Sequence, residues 1–201
     1  MIWLLLLVLL INLLAATWNA YMGGRLWRLV EGFGSKTVLI CALVQSVVGY
    51  SSVLLIAILI PVYAMGWIDE QYAKHTVDLW YLMIIFPALG TGIVIWMHSL
   101  LGAIRHPGSG NFLVAVWNSF AMWHNISSAI EHVPEAIKGV GELLGALAKG
   151  GSSSKDGVMA IIVIVIVGLT LALGATITYL VFCWGYRVTE QEMASAYSAG
   201  Q

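Results

Sequence analysis

Four long apolar runs, none with a Lys, Arg, Asp or Glu in its interior, constrain this chain more than any other feature. They cover about Ile2 to Met22, Thr37 to Gly66, Leu79 to Ile104 and Val158 to Trp184. A helix needs ~20 mostly apolar residues to cross the hydrocarbon core of a bilayer, and each run is that long. Backbone in hydrocarbon must satisfy its own polar groups, so such runs fold as helices. A barrel would need alternating polarity, which the MAIIVIVIVGL stretch from Met159 lacks.

Composition agrees. The chain is 60% hydrophobic and 9% charged, whereas a soluble domain is ~45–50% apolar and ~25% charged. Disorder needs the opposite balance. A net charge of −1 excludes a strongly basic nucleic-acid binder. The expected fold is therefore an all-α integral membrane protein. Residues 1–104 would hold three spans, 105–157 an amphipathic cytoplasmic helical segment with a Gly/Ser linker, and 158–201 the fourth span with a short outer tail.

Basic residues set the expected orientation. Arg25, Arg28 and Lys36 follow the first run, and Arg105, Lys138, Lys149 and Lys155 follow the third. Lys74 and Arg187 are the two on the other side. This puts both termini outside, in a bacterial inner (plasma) membrane, with Trp3, Trp67, Trp80 and Trp184 near the outer interface. The first run lacks the positive flank of a signal peptide and is followed by its arginines, so a retained helix is expected. Cys41 and Cys183 would then lie about a bilayer apart, beyond disulfide reach.

Within the spans, Pro61 and Pro87 are expected bends. Small residues recur at helical spacing: Ala42, Ser46 and Gly49; Ala88, Gly92 and Ser99; Gly168 with Ala172; Gly174 with Thr178. Close approach of small residues holds helices together in lipid, either inside one bundle or between subunits. Gln45, Ser46 and Ser52, with Thr91 and His98, form a candidate polar intramembrane face. Such a face would line a watery path, or pair internally with Thr91, Thr176 or Tyr179. No carboxylate falls inside a run, which argues against a proton-driven motor.

Between the third and fourth runs, Ile126, Ile130, Val133, Ile137, Val140, Leu144 and Leu147 recur at steps of 4 and 3. This heptad stripe is a candidate assembly or docking surface. Pro134 divides the segment into two expected helices, about 112–132 and 134–149. Gly139, Gly141 and Gly145 would permit close helix approach. Leu113, Trp117, Phe120 and Trp123 make an aromatic face upstream. His124, Ser128, Glu131 and Glu135, with His132 adjacent, read most simply as a solvated polar face. A divalent metal is the sharper alternative, and His98 with His124 a possible haem pair. No cofactor, metal or catalytic residue is assigned, since no phosphate loop, nucleophile elbow or catalytic carboxylate pair occurs.

The expected function is non-enzymatic: a homo-oligomeric structural or pore-forming subunit of a membrane complex. Its partners would be the lipid bilayer, copies of itself and other membrane or soluble subunits. A sensor or signalling subunit docking a soluble partner through residues 112–149 is the alternative. A haem- or metal-binding subunit using His98, His124 and His132 is the second.

Overall fold

The computed structural model describes residues 2–150 and 154–199. Residues 151–153, most of the expected Gly/Ser linker, lie outside them. The described chain is helical: α1 Ile2–Leu26, α2 Phe33–Ala64, α3 Glu70–Arg105, α4 Ser109–Gly150 and α5 Lys155–Ala199. Four of these, α1, α2, α3 and α5, are long and apolar enough to cross a membrane. The chain divides into two compact units, residues 1–53 with 173–201, and residues 54–172.

In the first unit, α1 packs against the start of α2 and the end of α5. A Cβ on Gly49 would lie 2.9 Å from Ala16 Cβ, and one on Gly174 would lie 3.1 Å from Val47 O. Both glycines belong to the small-residue sets read from the sequence, and here they serve packing within one chain. The tightest approach is elsewhere. A Cβ on Gly24 would collide with the carbonyl of Phe182, and one on Gly185 with the carbonyl of Tyr21. This α1–α5 crossing brings two backbones together because neither helix has a side chain in the way.

The end of α5 therefore accompanies the end of α1. Arg25 pairs with Glu192, and Arg28 lies 3.3 Å from Glu190. Thr189 donates to Arg25 O at 3.2 Å. The end of α1 and the last turns of α5 thus share one end of the unit. The Trp184 ring lies 4.8 Å from Tyr21, tilted by 51°, ~27 Å along α1 from Trp3, so these two tryptophans do not form one belt. A Cβ on Gly23 would lie 3.1 Å from Leu43 Cδ2 and 3.9 Å from Phe182 Cδ2. Cys41 and Cys183 thus sit at similar depth, not a bilayer apart, and both are free thiols.

In the second unit, α2 ends on a Schellman cap. Trp67 N donates to Val62 O and Gly66 N to Tyr63 O, with Gly66 at φ 71°, the left-handed conformation glycine adopts without strain. Asp69 then caps α3, its carboxylate accepting from Tyr72 N at 3.1 Å. Between Ile68 and Tyr72 from this corner, Leu143 from α4, and Ala160 and Val163 from α5 lies the buried core. Leu59, Val62 and Leu147 pack against it.

The largest departure from expectation is α4. It is one helix of 42 residues that continues through Pro134, and it runs antiparallel along α3. Trp96 Nε1 donates to Ser119 at 2.9 Å, and Tyr81 and Ser128 hydroxyls are 3.0 Å apart. Leu143 then reaches Ile68 and Tyr72. A segment confined to one membrane face would not pass beside Trp96 and Tyr81 and return to the α2–α3 corner. Residues 109–150, expected as two helices of a separate segment, thus form one helix packed along α3. The physical reason stands in the sequence: no Lys, Arg, Asp or Glu occurs between Arg105 and Glu131. Gly, Ser, Asn and His dilute the hydropathy of that stretch, but it carries no charge that would bar it from lying beside an apolar helix. The basic-residue count loses its basis too, because Lys138, Lys149 and Lys155 adjoin residues packed at the Lys74 end of α3.

Candidate functional site

The sequence-derived polar face divides between the units. Gln45, Ser46 and Ser52 are in the first, and Thr91 and His98 in the second. Ser46 is fully buried and donates to Ala42 O at 3.0 Å. Ser52 donates to Val48 O at 2.7 Å and Thr91 to Pro87 O at 2.6 Å. Tyr50 and Thr17 hydroxyls lie 2.8 Å apart, and neither Gln45 nor Thr176 is without a partner. Thr17, Ser46, Tyr50, Ser52 and Thr91 are each hydrogen-bonded, and buried Ser46 and Tyr50 are satisfied inside the unit, as buried polar groups in an apolar setting must be. The pore-lining reading of Ser46 has no support in this arrangement. His98 is exposed.

The histidines proposed as a ligand set do not converge. His132 rests against the Tyr81 ring at 6.1 Å, roughly 25 Å of helix from the level of His98. Among the described residues no three His, Cys, Asp or Glu groups come together as a metal would require.

The α4 stripe divides by face. Leu147 is half-buried against the core, and Val133 and Val140 are half-buried. Ile130, Ile137 and Leu144, seven residues apart, are 75%, 57% and 56% exposed. The face that packs inward is rotated from them: Ala115, Met122, Ala136, Gly139 and Leu143. Small residues were chosen there because α3 lies close. Gly139 meets Asp78, which a Cβ would strike, whereas Gly141 and Gly145 face open space.

Sequence reading missed the group of polar residues assembled where α3 begins and α4 ends. Tyr72, His75 and Asp78 stand at i, i+3 and i+6 on one face of α3. Across from them are Glu135, Gly139 and Glu142 of α4, and Asp156 at the start of α5. Tyr72 donates its hydroxyl to Asp156 at 3.1 Å, and its ring meets His75 edge-on at 5.8 Å. His75 is 4% exposed. Its Nε2 lies 3.8 Å from Glu142 Oε2 and 3.4 Å from the Gln71 amide nitrogen. Asp78 feels Lys74 and His75 on its own helix and Glu135 and Glu142 on α4. The only legible signal was the Tyr72–His75–Asp78 spacing. It was hidden because α3 was taken to start at Leu79, and because Glu142 was assigned to the opposite side.

Replacing Tyr72 by Phe removes one hydroxyl and leaves the ring in the core. The expected loss of stability is about 1 kcal/mol, read as a lowered midpoint of unfolding in mixed micelles. An unchanged midpoint would mean that the bond to Asp156 carries no net stability.

Comparison with protein-family models, with curated proteins and with solved structures returns no match.

Proposed function

We propose that this protein is a non-enzymatic integral membrane subunit that associates with further copies of itself through the outward face of α4. The single observation that carries this reading is the row Ile130, Ile137 and Leu144, left more than half exposed in the charged half of α4. Glu131, Glu135, Lys138 and Glu142 share that half, so it is the part of α4 least suited to lipid. An apolar row set among charges marks an interaction surface, and its seven-residue period fits helix-on-helix docking. Apolar helical spans suit an inner membrane better than a bacterial outer membrane, whose spanning proteins are typically barrels. A bacterial inner membrane is the proposed location.

The test is native mass spectrometry and sizing of the purified protein in detergent, with Ile137→Asp/Leu144→Asp as the variant. An oligomer that the double variant reduces to monomers is expected. A monomeric wild type would end the reading.

A second reading is a sensing subunit that passes a signal to a soluble partner through α4. It is favoured by the fact that one helix carries both the exposed row and Glu142, which faces buried His75. Monomeric protein whose partner binding is lost in the same double variant would select it.

A further inference from the structure

The outward side of α4 changes character along the helix. From Glu131 onward its exposed apolar residues stand among charges. Before Glu131 they do not. Phe112, Leu113, Trp117, Phe120 and Trp123 are 61–70% exposed, with no Lys, Arg, Asp or Glu between Arg105 and Glu131. The helical part of that stretch, residues 109–130, is about 33 Å long at 1.5 Å per residue, against a hydrocarbon core of about 30 Å.

Depth is set by α3. The Trp96–Ser119 and Tyr81–Ser128 bonds hold this half of α4 beside the middle of a helix long and apolar enough to cross a membrane. A helix lying along a span through the hydrocarbon is itself in the hydrocarbon. The polar groups of α4 are arranged for that setting. Ser119 accepts from Trp96 and donates to Ala115 O at 2.8 Å, and half-buried Asn118 and Asn125 flank buried Met122 on the inward side. Backbone and side-chain polar groups are thus turned away from lipid. Exposed His124 has a counterpart in exposed His98 on α3.

The number of crossings leaves its own trace in each unit. With α1, α2, α3 and α5 alone crossing, the end of α5 would lie opposite the end of α1. A fifth crossing puts both on one side, where Arg25 pairs with Glu192 and Thr189 bonds Arg25 O. In the second unit, Ala160 and Val163 near the start of α5 pack with Ile68 and Tyr72. Those two mark the end of α3 remote from Arg105, so the chain has crossed back before α5 begins.

We propose that α4 is a fifth membrane crossing, that lipid acyl chains cover its Phe112–Trp123 face, and that the two chain termini lie on opposite sides of the bilayer. Acyl chains fit this face because it offers no charge to pair and continues the exposed apolar surface of α3 at Ile93, Met97 and Leu101. The proposal does not require self-association, which was assigned to the other half of α4.

The test uses the full chain in sealed right-side-out and inverted membrane vesicles. Single cysteines at Ser35, Glu70, Ser109, Lys155 and Ser198, all exposed, are placed in a Cys41→Ala/Cys183→Ala background and treated with a membrane-impermeant maleimide. Ser35→Cys, Ser109→Cys and Ser198→Cys should react from one side, and Glu70→Cys and Lys155→Cys from the other. Reaction of Lys155→Cys from the side of Ser109→Cys, or of Ser198→Cys from the side of Glu70→Cys, would overturn the fifth crossing. A nitroxide on Phe120→Cys reads the occupant. Relaxation by oxygen and not by a water-soluble nickel complex is expected. Relaxation mainly by nickel, meaning water, or by neither, meaning a protein surface such as a second copy, would overturn the acyl-chain assignment.

Discussion

Leu143→Ala should destabilise this protein by about 2–5 kcal/mol, while Leu144→Ala should change it by no more than ~0.5 kcal/mol. The two leucines are neighbours in sequence with the same helix propensity, so only their surroundings separate them. Leu143 is 1% exposed and touches the core built from Ile68, Tyr72, Ala160 and Val163. Truncating it leaves a cavity where α2, α3, α4 and α5 meet, and the lost contacts add to the lost transfer energy. Leu144 points outward. Denaturation in mixed micelles, followed by helical circular dichroism, measures both. The heptad stripe in the sequence contains Leu144 and omits Leu143, so equal effects would favour that stripe as the true core face. Under the proposed association, Leu144→Ala should instead weaken self-association.

The second large effect belongs to the first unit. Gly185→Ala and Gly24→Ala should each cost about 3 kcal/mol or more, the upper end of overpacking. Alanine ordinarily stabilises a helix relative to glycine by ~1 kcal/mol, so this outcome opposes the intrinsic trend. The cause is specific. At both positions the new methyl would strike a backbone carbonyl, Phe182 O or Tyr21 O, and a carbonyl within a helix cannot swing aside as a side-chain tip can. Gly141→Ala is the control, because nothing lies near it. It should be neutral or gain up to ~1 kcal/mol. If all three alanines raise stability, the α1–α5 crossing is looser than described.

Gly139 shows how far such features were legible. Its value for close packing was readable from composition alone, together with Gly141 and Gly145. What it packs against was not, since Asp78 lies 61 positions earlier and seemed to belong to an opposite surface. The glycines of the α1–α5 crossing were passed over for a similar reason. Gly23-Gly24 sits at the end of its apolar run and resembles the start of a loop, yet α1 continues to Leu26. Helices here extend past their apolar cores at most ends: α3 begins at Glu70 and α5 reaches Ala199. Hydropathy marks where a helix meets lipid, not where it stops, because backbone bonding continues into polar sequence without penalty.

Charge counting treats a segment between two spans as lying apart from them, whereas α4 packs along α3. Its 24 uncharged residues from His106 to Ala129, with Ile130 following, run beside α3 instead. No periodicity announces an antiparallel partner, because pairing depends on which faces of two helices fit.

The sequence by itself determined the helical class and the four runs able to cross a membrane. Both follow from local rules, since each residue in hydrocarbon must be apolar and each backbone group paired within its own helix. Only the tertiary structure decided that α4 doubles back along α3, that the C-terminal segment joins loop one, and that Tyr72, His75, Asp78, Glu142 and Asp156 meet at one corner. Those outcomes depend on contacts between residues far apart in the chain, whose energies reside in paired surfaces and leave no mark on either segment alone.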